Sequence, residues 1–465
     1  MSVKNCCRYL VLVFIFVNGT PALHANLSLP DIFSDGMVLQ QKAEITFWGW
    51  AKPGENVSLT LPWLDSALAV KATDQGTWSI PVTTPPAFGK FDIRIRGYNE
   101  ITLRDVLLGE VWLCAGQSNM EWTARMGIDN AESFVANANY PEIRFFRIHH
   151  RTAATPQDDL GGNWLSCNPE TMQNFSAVGY FFAEKIYKEM KVPVGLIDAS
   201  WGGTPVEIWM NAKVIESSEK LAQAAATLKP VPWGPVKPGK AYNAMIAPLT
   251  RYRIAGAIWY QGESNVGNAY AYKDMFSAMI TSWREERGYT FPFYFAQIAP
   301  YNKYGEGFGG AMVRDAQRRT LSLPQTGMVV TSDIGNLDDI HPRNKKDVGN
   351  RLAMLALTGH YQVSKAEASG PLYQKMEVRK DQVTIYFDHA GGLNAKEGKP
   401  LLFEIAGEDG VFYPAEAVIN GPTVILSSKN VKSPKHARFA WSNAAEPNLF
   451  NGAGLPASCF TSEDL

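Results

Sequence analysis

Cysteine is scarce: there are five in 465 residues, and two of them, Cys6 and Cys7, precede an N-terminal apolar run. The remaining Cys114, Cys167 and Cys459 are too few for a disulfide framework of the kind that staples small secreted domains. Pairing of Cys167 with Cys459 stays open, while Cys114 sits inside an apolar run and reads as a small core residue. An excess of one charge is also missing. Lys and Arg number 44, Asp and Glu 45, for a net charge of −1, with no long run of either sign. A nucleic-acid partner calls for a basic stripe, so that class is excluded. No basic amphipathic face offers itself to a membrane surface. Beyond the N-terminus no apolar run is long enough to span a bilayer. Internal repeats and low-complexity segments are absent as well.

What is present suits a large folded protein. Hydrophobic residues make up 46% and charged residues 19%, enough for a sizeable core and about two or three domains. Lys4 and Arg8 precede the apolar run 9–17, and small residues follow, with a cleavage point near Ala22 or Ala25. This pattern predicts a signal peptide over 1–25 and a secreted or periplasmic protein. Residues 26–105 read as a small antiparallel β domain, with short alternating runs such as Glu44-Ile45-Thr46-Phe47-Trp48 and turn signals such as Lys52-Pro53-Gly54. Residues 106–368 alternate apolar runs with amphipathic helical patterns, the signature of a parallel sheet covered on both faces. From 369 to 465 the pattern is β again, with a coil-rich tail.

The chemistry gathers at the ends of the predicted parallel strands, where α/β sheets bind ligands. After the strand that ends at Ala115 comes Gly116-Gln117-Ser118-Asn119-Met120. After the strand that ends at Ser200 comes Trp201-Gly202-Gly203-Thr204-Pro205. After Tyr260 comes Gln261-Gly262-Glu263-Ser264-Asn265. A fourth loop carries Asp338-Asp339-Ile340-His341-Pro342. The four should converge on one rim. A serine there needs a base, and an imidazole titrates in the right range. The imidazole needs an acceptor on its other nitrogen, a role Asp338 fits. A tetrahedral oxyanion needs fixed donors: the Ser118 amide, the Gly202 or Gly203 amide and the Gln261 side chain, with Asn265 as the alternative to Gln261. Glu263 reads as a brace for its loop or a catalytic helper. Trp112, Trp122, Trp201, Trp209 and Trp259 crowd these motifs, and one or two of them should line a sugar-binding pocket. His149, His150, His360, His389 and His436 lack such context and read as structural or surface residues.

The segments 109–120, 259–265 and 338–342 closely resemble the sialate O-acetylesterase family, a branch of the SGNH hydrolases, as do Asp35-Gly36-Met37-Val38-Leu39-Gln40 and the closing stretch 448–457. The resemblance covers nearly all of the mature chain. It implies a flavodoxin-like α/β sheet with helices on both faces, flanked by small β-sandwich-like modules. It also implies a serine esterase that removes acetyl groups from sugars with no metal and no cofactor. It carries over Ser118 as nucleophile, His341 as base and Asp338 as orienting acid. The leading substrate is a 9-O-acetylated sialate, and acetylated xylan or xyloglucan is the alternative. A sialate carboxylate would call for an arginine, with Arg125, Arg314 and Arg343 the nearest in sequence. Two other classes remain: a non-catalytic glycan-binding protein, and a transferase that passes acetyl to a sugar rather than to water.

Overall fold

The computed structural model describes residues 26–464, so the segment 1–25 read as a signal peptide lies outside the described residues. Its central feature is a parallel sheet. In chain order its strands are β1 (Glu100–Gly116), β2 (Tyr140–Arg147), β3 (Trp164–Cys167), β4 (Val194–Ser200), β5 (Gly256–Tyr260), β6 (Phe293–Ala296) and β7 (Thr326–Val329). Across the sheet they lie in the order β7-β6-β5-β1-β4-β2-β3. Every neighbouring pair is parallel except β2 with the edge strand β3.

The apolar run in β1 explains its central place. Val111, Leu113 and Ala115 join one core, and Trp112 and Cys114 join the other, so the strand buries both faces. Helices α1 (Ala177–Met190) and α4 (Lys345–Leu355) cover the Trp112 face through Val178, Phe181, Phe182, Val348 and Leu352. Helices α2 (Tyr272–Arg287) and α3 (Gly309–Thr320) cover the other face through Met275, Phe276, Met279 and Val313. Helix starts are capped as local chemistry predicts. Ser176 accepts from the Gly179 amide at 3.0 Å ahead of α1, and Asn344 accepts from Asp347 at 3.1 Å ahead of α4.

Strand β1 is 17 residues long, and its first half belongs to the N-terminal β region. There it pairs antiparallel with Phe91–Arg96 and parallel with Val38–Gln40. A second small sheet, Glu44–Trp50 against Thr77–Thr83, shares its core through Phe47, Trp78 and Ile80. After 369 two four-stranded antiparallel sheets enclose a third core, with Ile385, Ile405, Leu426 and Phe460, and this core packs on Ala311 of α3. Cys167 and Cys459 lie in different cores, and all three described cysteines are free and buried. Among the described residues no helix is long and apolar enough to cross a membrane.

From β1 the chain crosses to β2 and the edge strand β3, comes back to β4 beside β1, and then fills the other side in turn with β5, β6 and β7. The reversal falls at β1, which makes its carboxyl end the crevice where such sheets bind ligands.

Candidate active site

Ser118 follows β1 directly and begins a one-turn helix, Ser118–Glu121. The turn that presents it depends on Gly116, at φ +136°, where a Cβ would stand 2.2 Å from the Tyr260 carbonyl oxygen. Only glycine meets both conditions. The neighbouring loops are tied to this turn. The Gln117 amide donates to the Tyr260 carbonyl at 3.0 Å, and the Trp201 amide donates to the Gly116 carbonyl at 3.0 Å. The Ser176 hydroxyl donates to the Met120 carbonyl at 2.6 Å and anchors the turn from below.

His341 Nε2 stands 2.9 Å from Ser118 Oγ. The ring stacks on Trp122, with centroids 4.3 Å apart and planes 19° from parallel. Burial and the nearby Lys345 ammonium lower the His341 pKa below the usual 6.5, against the opposing pull of Asp339. The imidazole is therefore neutral and ready to accept a proton at pH 7.

Asp338 does not face this ring. Its Oδ1 accepts from the Asn302 amide group at 3.1 Å, out at the exposed surface. The carboxylate nearest to His341 Nδ1 is that of Asp339, at 3.7 Å, and its Oδ1 also accepts from the His341 backbone amide at 2.9 Å. At 3.7 Å this is a charge contact rather than a hydrogen bond. The three-residue spacing suggested Asp338, but the tight turn that Asp339 forms with the His341 amide turns the adjacent carboxylate inward.

Beneath the serine lies a buried polar group centred on Asn119. Its Nδ2 donates to Glu263 Oε1 at 2.7 Å and to the Ile340 carbonyl at 3.0 Å. Its Oδ1 accepts from Lys345 Nζ at 2.5 Å. One asparagine thus joins the serine, third and histidine loops. Burial raises the Glu263 pKa, and its Oε2 is buried without a hydrogen-bond partner. Lys345 is buried near the rings of Trp122 and Tyr260, and burial lowers its pKa to about 7.

The suggested side-chain oxyanion donors point elsewhere. Gln261 is fully buried. Its Nε2 donates to Asn265 Oδ1 at 2.7 Å and to the Thr204 carbonyl at 3.2 Å, and its Oε1 accepts from the Tyr272 hydroxyl at 2.9 Å. Asn265 donates to Glu207 at 2.9 Å and accepts from the Val206 amide at 2.9 Å. Both amides hold the second and third loops together behind the pocket and do not line it.

The pocket over Ser118 has a volume of about 630 Å³, and its walls include Glu121, His150, Trp201, Gly202, Gly203 and Trp233. Three of these were not legible as site residues. Glu121 accepts from the Gly202 amide at 2.7 Å, lies 3.1 Å from Arg147 and is 3.2 Å from His150. Burial alone would raise its pKa, but His150 and the Gly202 amide outweigh that and lower it. Sequence context points to a structural or surface role for His150, yet it lines the pocket and stacks on Trp201 at 4.3 Å with planes 2° apart. Burial pulls its pKa down, but Glu121 together with the Ser200 carbonyl leaves it raised. Trp233 comes from a stretch with no periodic pattern, so no sequence signal marked it. Of the five tryptophans singled out, Trp201 lines the pocket and Trp122 backs the histidine, while Trp112, Trp209 and Trp259 are fully buried.

The chain is similar to known proteins in sequence and in fold. The model of the carbohydrate esterase, sialic acid-specific acetylesterase family matches residues 108–358. The sialate O-acetylesterase of Homo sapiens is 31% identical over 412 residues, covering 80% of this chain and 78% of its own. That of Rattus norvegicus is 29% identical, covering 85% of each chain. The crystal structure of a carbohydrate acetylesterase from Xanthomonas citri superposes with a TM-score of 0.86 at 35% identity, over 94% of this chain and all of that one. Fold and likeness define the class first: this is a carboxylic ester hydrolase that acts on O-acetylated carbohydrates. More narrowly, the chain belongs to the carbohydrate esterase, sialic acid-specific acetylesterase family.

Proposed function

We propose that this protein removes acetyl groups from sugars by nucleophilic catalysis at Ser118, with His341 as general base. The observation that carries the reading is the 2.9 Å contact between Ser118 Oγ and His341 Nε2 on the pocket floor. His341 Nε2 takes the hydroxyl proton as Oγ attacks the acetyl carbonyl carbon. Glu121 occupies the Gly202 amide, so the oxyanion donors in this proposal are the backbone amides of Ser118 and Gly203. His341 then gives its proton to the departing sugar oxygen, leaving acetyl-Ser118. Water deprotonated by the same nitrogen releases acetate and restores the serine. Asp339, rather than Asp338, supplies the negative charge on the far side of the ring.

The acetyl carrier follows from two considerations. The family and the mammalian relatives are named for sialate, so a 9-O-acetylated sialate is the leading substrate. Its 9-oxygen sits at the end of the glycerol arm, remote from the carboxylate, so the pocket need not hold that charge. The second reading, an acetylated neutral polysaccharide, is favoured by the walls themselves: they carry Glu121 and Glu263 and neither arginine nor lysine. Arg314 is committed elsewhere, to the backbone carbonyls of Ser442 and Asn443, and Arg125 and Arg343 are not among the wall residues. Export through the segment 1–25 belongs to the same proposal. The test is acetate release by the wild type and by Ser118→Ala, from an aryl acetate, 9-O-acetylated sialic acid and acetylated xylan. Activity retained by Ser118→Ala would falsify the nucleophile assignment, and the preferred sugar decides the carrier.

A further inference from the structure

The Ser118 pocket does not end at its own wall. A second cavity of about 430 Å³ adjoins it, and Gly203, Trp233 and Ser264 line both. The far side of this cavity combines apolar Leu228, Val231 and Val236 with polar Thr227 and Lys229. Trp233 stands between the two spaces and is 62% exposed. An indole so exposed contributes little to the core, yet this one is held in place. Its Nε1 donates to the Gly203 carbonyl at 3.3 Å, and its own carbonyl accepts from Trp201 Nε1 at 3.3 Å. A bridge between Val231 and Gly234 closes the turn that carries it.

A fixed, exposed aromatic face suits the C–H face of a sugar ring, because the ring packs flat while its hydroxyls reach polar groups at the rim. The volume lies in the range of small-ligand sites and exceeds what one acetyl group needs. The lining carries no carboxylate and one lysine, so the occupant need not be charged. We propose that this cavity is a second subsite, which holds the uncharged sugar linked to the acetylated one, with Trp233 as its platform. The enzyme therefore selects acetylated oligosaccharides over acetylated monosaccharides. This inference rests on the reading of the Ser118 site as a sugar deacetylase.

The experiment compares kcat/KM for an acetylated monosaccharide with that for an acetylated tetrasaccharide of the same acetylated unit, with an aryl acetate as reference. Wild type should prefer the longer substrate by about ten-fold, mostly through KM, a factor that corresponds to about 1.4 kcal/mol. Trp233→Ala and, at the far end, Leu228→Glu should each bring that ratio close to one. Recovery of the preference in Trp233→Phe would support a stacking role. A wild-type ratio near one overturns the subsite. So does a ratio that survives both variants, or one that Trp233→Ala alone removes, which would place the effect in the first pocket. A wild type that cleaves the aryl acetate but neither sugar would instead overturn the sugar deacetylase reading.

Discussion

The two sides of the serine are held in different ways. Toward the third loop the polar groups are buried and, Glu263 Oε2 apart, hydrogen-bonded: Asn119 bridges Glu263, Lys345 and the Ile340 carbonyl, and behind it Gln261, Asn265, Glu207 and Asn268 form a closed group. Toward the histidine the support is sparse. His341 rests on the face of Trp122 and has a half-exposed carboxylate 3.7 Å from Nδ1. Buried polar groups fix geometry because breaking one strands its partner out of water. An exposed ion pair contributes little and is screened by salt. The nucleophile is thus set rigidly, while the base keeps some freedom, which suits a group that must serve both the sugar oxygen and the incoming water.

Substitutions can break or sharpen that contrast. Ser118→Ala and His341→Ala should each lower kcat by about a thousand-fold or more on an aryl acetate, since both belong to one proton-transfer unit. A much milder loss for His341→Ala would assign the base to another group. On the rigid side, Asn119→Ala leaves Lys345 and Glu263 buried without their shared partner, and it should cost about 2 kcal/mol of stability, read by denaturant unfolding. No change in midpoint would show that this network is not structural. On the sparse side, Asp339→Asn should reduce kcat/KM by about ten-fold and Asp338→Asn by less than about two-fold, because only the first carboxylate is near the ring. The reverse order would restore Asp338 as the orienting acid.

The smallest effect concerns pH. Imidazolium cannot accept the serine proton, so activity is lost as pH falls through the His341 pKa, which lies below 6.5. Lys345→Met removes a nearby positive charge, so that pKa should rise and the acid limb of kcat/KM should move to higher pH, by less than about one unit. A limb that stays put, or moves down, would mean the Lys345 charge does not reach the ring.

Much of this was legible in the sequence. The runs 111–115, 194–200 and 256–260 are largely apolar and alternate with amphipathic helical patterns, as strands of a parallel sheet covered on both faces do. Their loops had to share a rim, which brings Ser118, Gly202 and Gly203 together, and the fourth loop adds His341. What could not be read was side-chain direction inside the loops. Gln261 and Asn265 turn inward to satisfy one another and Glu207, a choice that depends on burial rather than on spacing. Asp338 and Asp339 differ by one position, and a backbone turn decided between them. His150 and Trp233 come from segments with no periodicity, where sequence carries no signal for which residue a distant strand end will meet.

The 17 residues of β1 carry a further consequence. The same unbroken ribbon is the seam of the N-terminal β region and the stem that presents Ser118. Modules joined by a linker can be exchanged between genes like carriages on a train. Here the coupling is a rail that runs through both carriages, so the N-terminal region has no clean point at which recombination could detach it, and its inheritance is bound to that of the nucleophile.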